Sequence, residues 1–170
     1  GRCRQRRRRG SGPARPSREW GMTLLSGEGI TVDLPPGWEG AIGQSTELAD
    51  GAVRNVVAHF ASFPLPPRRG DFGGGAVDLM EENDALVVLF DYGSSAVGSA
   101  LFAFDGLPTI NVGDFDRDIL QKSIPGQSGV QRFFTVSGRA FCLYVVVGSH
   151  IDRSEILPAV QHLLESVRIT

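Results

Sequence analysis

One stretch near the C-terminus limits the possible folds of this chain more than any other. Residues 130–136 and 139–148 each have the pattern of a strand, and Ser137 and Gly138 between them can form a tight turn. The second strand is apolar on both faces from Phe141 to Val147. A strand of this kind needs neighbouring layers on both sides of its sheet. We therefore predict an antiparallel sheet in which residues 139–148 form the central strand.

Further strands are predicted where short apolar or β-branched runs lie between turn residues. The segment 30–34 ends at Pro35-Pro36-Gly37, and residues 39–44 can return beside it as a hairpin. The other candidates are 52–63, 85–91 and, as either a strand or an irregular edge, 97–104.

A helix is predicted at the C-terminus, where Asp152 or Ser154 can provide the N-cap. Its apolar residues follow the three-and-four spacing of an amphipathic helix: Ile156, Val160, Leu163, Leu164 and Val167. Residues 76–83 can form a short helix or a turn. The predicted fold class is α+β, with a mainly antiparallel twisted sheet of about six strands flanked by helices, in a single domain over residues 22–170.

Charge divides the chain into two unequal parts. Residues 1–18 contain eight arginines and no acidic residue, whereas residues 19–170 contain nine basic and nineteen acidic residues, a net charge of about −10. An acidic domain repels phosphate backbones, so we expect no nucleic-acid binding by the folded part. Residues 1–21 are interpreted as a disordered arginine-rich leader or an artefactual extension. Binding of nucleic acid or an acidic partner by this arm is the alternative.

Composition also bears on the compartment of the protein. The longest apolar run is residues 140–147, far short of the roughly 18 residues that a membrane span needs. Cys3 and Cys142 lie in such different settings that no disulfide framework is indicated. We expect a cytoplasmic protein without membrane attachment, and its oligomeric state is left open.

Motifs that would indicate catalysis or metal binding are incomplete. Asp71-Phe72-Gly73 matches a kinase tripeptide, but the other kinase motifs are absent from the sequence. His59, His150 and His162 lack the spacing of metal ligands, and Cys142 lies between apolar residues that would keep its thiol unreactive. We therefore predict no catalytic residue, no metal site and no cofactor.

Two loops are candidate functional regions. Residues 68–75 read Arg-Arg-Gly-Asp-Phe-Gly-Gly-Gly, and the backbone amides of Gly73–Gly75 could face an anion, although no phosphate-loop pattern is present. The face near Arg68, Arg69 and Asp71, together with Arg132 and Arg139, is the candidate site for a small ligand or an enzymatic reaction.

The second loop is the long segment 105–128, whose aspartates lack the order of a calcium loop and indicate a solvated acidic surface. It contains apolar residues beside basic ones. We predict that this loop and the turn at Ser137-Gly138 form a protein-binding surface. The candidate partner-binding residues are Phe115, Arg117, Ile119 and Lys122.

Two places in the chain resemble a known family. The strand-to-turn segment from Gly29 to Trp38 (GITVDLPPGW) and the last helix, Ile156 to Ser166, followed by Val167-Arg168-Ile169, are similar to the opening and the end of PsbP-like domains. The resemblance covers roughly residues 22–170. It implies a bacterial member with an antiparallel sheet flanked by helices, and binding rather than catalysis. It assigns no functional residue.

The first functional hypothesis is a cytoplasmic protein-binding or adaptor domain without catalytic activity, with an unidentified protein partner. The alternative is a small-ligand-binding protein or an enzyme that uses the region of Arg68, Arg69 and Asp71. A concave site of about 300 Å³ or more with converging polar groups would favour the alternative. A flat apolar patch would favour the adaptor.

Overall fold

The structure is a computed structural model that describes residues 21–45 and 54–170. The expectations for residues 1–20 and for the first two residues of the strand predicted at 52–63 lie outside this part. The described chain forms strands and one α-helix: β1 (Thr23–Gly27), β2 (Ile30–Leu34), β3 (Glu39–Gln44), β4 (Val56–Ala61), β5 (Ala85–Gly93), β6 (Ser128–Val136), β7 (Arg139–Val147), α1 (Arg153–Ser166) and β8 (Arg168–Ile169).

The strands form two antiparallel sheets, a five-stranded sheet in the order β3-β4-β5-β7-β6 and a three-stranded sheet in the order β1-β2-β8. The mainly antiparallel α+β class is confirmed, but the described residues form eight strands in two sheets in place of the predicted single sheet of about six. The division into two sheets follows the turn at Pro35-Pro36-Gly37, where Gly37 has a φ of 82° and the Trp38 amide donates to the Pro35 carbonyl. This turn directs β3 away from β2, and β3 pairs with β4 instead of completing the predicted hairpin.

The hairpin of β6 and β7 is confirmed. Val136 faces Arg139 across a two-residue turn in which Ser137 and Gly138 both have positive φ, the geometry that matches the twist of the flanking strands. β7 lies inside the sheet between β5 and β6, and all its residues after Arg139 are buried. It is one strand away from the middle, which β5 occupies.

The two faces of the five-stranded sheet are covered differently. One face, with Val87, Leu143 and Val145, packs in a core shared with α1 and β2. The other face, with Leu86, Val88, Cys142, Tyr144 and Val146, packs against side chains from loops, among them Phe63, Phe72, Val77, Ile119 and Leu120. We call it the loop-covered face. Loops can present polar groups above a sheet, so this face is the place to look for a site.

The prediction of several flanking helices is wrong for the described residues, in which α1 is the single α-helix. Residues 76–83 contain only the 3₁₀ turn Val77–Leu79, and 97–104 forms no strand because 3₁₀ turns flank Gly98, whose φ is 91°. The expected C-terminal helix is confirmed, and its buried side chains are Ile156, Leu157, Val160, Leu163 and Leu164. Asp152 occupies the N-cap position, but its side chain makes no capping hydrogen bond. No helix within these residues is long and apolar enough to cross a membrane.

Candidate functional site

A cleft of about 790 Å³ opens on the loop-covered face, above strands β3 and β4. Its floor contains Gly43, Val57 and His59. Val57 and His59 are two residues apart in β4 and so lie on the same face of the sheet, and Gly43 of β3 is paired with Val57. One wall is the loop 67–75, and Gln121 and Lys122 line the cleft as well. Arg68, Arg69 and Asp71, the residues predicted for the alternative function, therefore all line this cleft.

The glycine-rich loop is folded back on itself. The Gly75 amide donates to the Arg69 carbonyl at 3.0 Å, and the Gly73 amide donates to the Gly70 carbonyl at 3.2 Å. A Cβ atom at Gly75 would lie 2.4 Å from the Arg68 carbonyl oxygen, which is closer than atoms in contact can be. Glycine at this position therefore allows the close approach that fixes the backbone of both arginines.

Two of the three glycine amides of Gly73–Gly75 are engaged within the loop. Besides Gly73 and Gly75, the amides of Ala76 and Val77 donate to the Gly73 carbonyl at 2.8 and 3.0 Å. The hypothesis that Gly73–Gly75 present their amides to an anion is therefore wrong for Gly73 and Gly75.

His59 connects the floor of the cleft to the loop. It is 5% exposed, its Nε2 lies 2.8 Å from the Asp71 carbonyl oxygen, and its Nδ1 lies 3.1 Å from Nε of Arg69. An arginine can only donate, so Nδ1 accepts and we assign the ring proton to Nε2. Burial, and then the charge of Arg69, lower the pKa of His59 from 6.5 to about 4. His59 is therefore neutral near pH 7, and it orients Arg69.

Arg69 is a half-buried cation without a carboxylate partner in the described chain. Its Nε donates to His59 and its Nη1 donates to the Pro66 carbonyl at 3.0 Å. The ion pairs among the described residues are formed by other groups: Lys122 with Asp78, Arg132 with Asp114, and Arg139 with Asp91. Burial lowers the pKa of Arg69. Its Nη2 has no hydrogen-bond acceptor among the described residues.

The charges that line the cleft differ in sign from those of the domain around it. Arg68, Arg69 and Lys122 contribute three positive charges and Asp71 one negative charge. The Asp71 carboxylate accepts a hydrogen bond of 2.6 Å from the Ser45 hydroxyl, and Lys122 pairs with Asp78. The cleft lining is thus net positive, although residues 19–170 carry a net charge of about −10.

The residues predicted to bind a partner are not brought together on one surface. Phe115 is 6% exposed and belongs to the core shared with α1, whereas Ile119 is half-buried against the opposite, loop-covered face. Arg117 is exposed, and Lys122 lines the cleft. The apolar side chain of Phe115 serves the core, and a protein interface in this loop stays a prediction for the exposed residues.

Other candidate residues lie away from the cleft. Arg132 and Arg139, which the sequence grouped with Arg68 and Arg69, are held by Asp114 at 3.1 Å and by Asp91 at 2.7 Å. Cys142 is buried, and burial raises its thiol pKa to about 11. This placement and pKa fit the expectation of an unreactive thiol. No group of three His, Cys, Asp or Glu side chains suited to a metal occurs in the residues that the structure describes.

Local sequence gave no signal for the pairing of His59 with Arg69. The two residues are ten positions apart, and the end of β4 and a proline-rich segment lie between them. The register of β4 places His59 on the face that the loop covers. Comparisons with protein-family models, with curated proteins and with solved structures find no match for the chain. The candidate site is therefore defined by its geometry: an open cleft with a half-buried guanidinium that has no carboxylate partner among the described residues.

Adjacent glycines of the loop give a matched test of this geometry. Gly75→Ala is expected to lower the free energy of unfolding by about 1–3 kcal/mol, because its Cβ would meet backbone atoms of Arg68 and Arg69. A Cβ at Gly74 has open space, so Gly74→Ala should change stability by less than about 0.5 kcal/mol. Urea denaturation of both variants measures the difference. Equal stabilities would contradict the folded-back loop.

Proposed function

We propose that this chain is a small-ligand-binding protein and that the cleft formed by β3, β4 and the loop 67–75 is its binding site. One observation carries the proposal: polar groups from separate parts of the chain converge on one concave volume of about 790 Å³. Ligand sites commonly have volumes of about 300–1,000 Å³ and a few polar groups held in fixed positions.

The lining provides both kinds of contact that a small organic molecule uses. Val57 and Phe72 are apolar, and the ring of Phe72 is held by stacking on Phe90 with 5.2 Å between ring centroids. Arg69 is fixed through His59, and the Asp71 carboxylate is fixed through Ser45. Groups that are positioned before a ligand arrives lose little freedom on binding, which favours affinity.

The experiment is a screen of small-molecule fragments by thermal shift and by ¹H–¹⁵N NMR, with a variant that fills the cleft. Gly43 lines the floor and a Cβ there has open space, so the side chain of Gly43→Leu should project into the cleft and reduce its volume. Gly113→Leu is the matched control, since Gly113 also has open space but lies outside the cleft. Fragments should shift amides of residues 68–75 in the wild type and in Gly113→Leu, and should bind more weakly to Gly43→Leu. A screen in which no fragment shifts these amides would contradict the proposal.

A second candidate function is protein binding by an adaptor domain, which a different surface favours. The segment 92–104 exposes Tyr92 (37%), Val97 (39%), Leu101 (57%) and Phe104 (56%). Exposed apolar groups that lie close together can mark an interaction surface. Pull-down from the host with wild-type bait and with a Leu101→Ser, Phe104→Ser bait tests this candidate. A partner captured equally by both baits would remove this segment from the interface.

We also propose that the chain is a PsbP-like domain and that the protein is located in the cytoplasm. The two regions that carry the resemblance meet in the three-stranded sheet, where Ile169 of β8 faces Ile30 of β2. Contact between the opening strand and the final strand supports treating them as parts of one domain. In that family most members bind partners rather than catalyse reactions, which agrees with a binding role for the cleft.

A further inference from the structure

We infer that the ligand of the cleft carries an oxyanion, a carboxylate or a phosphate group, and that the guanidinium of Arg69 binds it. The inference rests on the proposed function, because it concerns the same cleft. It adds the chemical class of the ligand and the residue that recognises it.

The first support is the missing counter-ion of Arg69. This side chain is half-buried, and yet neither Asp71 nor any other carboxylate of the described residues lies within ion-pair distance of it. Moving a cation partly out of water is unfavourable unless the cation gains a charged or hydrogen-bonding partner. Two hydrogen bonds to neutral groups compensate only part of that loss. An anionic ligand would supply the remainder.

The second support is the way in which the guanidinium is held. His59 binds Nε at 3.1 Å and the Pro66 carbonyl binds Nη1 at 3.0 Å, so the plane of the group is fixed from two sides. Nη2 has no acceptor among the described residues and belongs to a residue that lines the cleft. A guanidinium presents planar donors that match the oxygens of carboxylates and phosphates. The group is therefore pre-oriented for an oxyanion.

The third support is the charge around Arg69. Arg68 lines the same wall and is exposed without a carboxylate partner in the described chain, whereas the charge of Lys122 is compensated by Asp78. Arg68 and Arg69 therefore outnumber the one lining carboxylate, Asp71, and give this wall of the cleft an excess of positive charge on an otherwise acidic domain. The cleft volume of about 790 Å³ is far larger than one oxyanion group, so the anion is one end of a larger organic molecule. Val57 and Phe72 are placed to contact the rest of it.

The test uses the ¹⁵N-labelled full chain and follows the arginine Nε–H resonances by NMR. The probes are inorganic phosphate and acetate, titrated separately at constant ionic strength, so that the two kinds of oxyanion are distinguished. Either probe should shift the Arg69 Nε–H resonance saturably. In Arg69→Gln, which lacks that resonance, binding of the same probe is followed by the backbone amides of residues 68–75 and should be weakened at least tenfold. The control Arg168→Gln should leave it unchanged, because Arg168 is exposed and lies outside the cleft.

The outcomes separate this inference from the proposed function. If both probes leave Arg69 unshifted while uncharged fragments still bind in the cleft, the oxyanion inference is overturned and the proposed function stands. If the fragments fail as well, both are overturned. Equal, non-saturating shifts of Arg69 and Arg168 would reveal general screening and would also overturn the inference. The wild-type resonance decides the question even if Arg69→Gln proves unstable.

Discussion

Val145→Asp is expected to abolish the folded state. Val145 is fully buried in β7, between Val87 of β5 and Val130 of β6, and it belongs to the core shared with α1. An aspartate there would bury an unpaired carboxylate, at a cost of several kcal/mol. A typical domain has only about 5–15 kcal/mol of stability in total. Soluble yield and far-ultraviolet circular dichroism should both show the loss.

The matched control is Ile151→Asp, which introduces the same charge at a side chain that is 81% exposed. It should change the free energy of unfolding by less than about 0.5 kcal/mol, because no core contact is lost. If Val145→Asp folded with the stability of the wild type, β7 would not lie inside the sheet, and the strand order described above would be incorrect.

The elements predicted best from the sequence are those whose signal is local. The turn at Ser137 and Gly138 and the apolar run from Phe141 to Val147 are sufficient for the hairpin of β6 and β7. The spacing of Ile156, Val160 and Leu163 likewise identifies α1 and its buried face. In each case, residues close in the sequence provide both the conformation and the packing surface.

The pairing of strands was predicted less well because it depends on residues far apart in the chain. The pattern of 39–44 identifies a strand, but it does not tell whether β2 or β4 will be its partner. The alternation of apolar and polar residues is compatible with pairing to either strand, and the turn at Gly37 determines that β4 is the partner. This choice converts one predicted sheet into two.

The sequence predicts part of the lining of the cleft. Arg68, Arg69 and Asp71 are neighbours in one loop, and the structure places all three along one cleft. Arg132 and Arg139 were grouped with them incorrectly, since their carboxylate partners come from elsewhere in the fold. Composition alone also cannot distinguish an apolar residue that anchors a partner from one that fills the core. Phe115 is buried for the second reason.

Acidification is expected to destabilise the domain through His59. Burial, and then Arg69, lower the pKa of His59 from 6.5 to about 4 in the folded state. Between these values the unfolded chain binds more protons than the folded one, so stability falls as the pH falls. The free energy of unfolding is unaffected by this residue above about pH 6.5. It decreases progressively as the pH falls to about 4, where the total loss from His59 is roughly 3 kcal/mol. Urea denaturation at a series of pH values measures it.

Carboxylates titrate in the same range, so the effect of His59 has to be isolated by comparing variants. Glutamine at position 59 can accept from Nε of Arg69 and donate to the Asp71 carbonyl, but it cannot be protonated in this range. His59→Gln should therefore show a smaller loss of stability between pH 6.5 and 4 than the wild type. His162→Gln should keep the full loss, because His162 is exposed on α1. Identical pH profiles for all three proteins would mean that the His59 ring is not held neutral by burial and by Arg69.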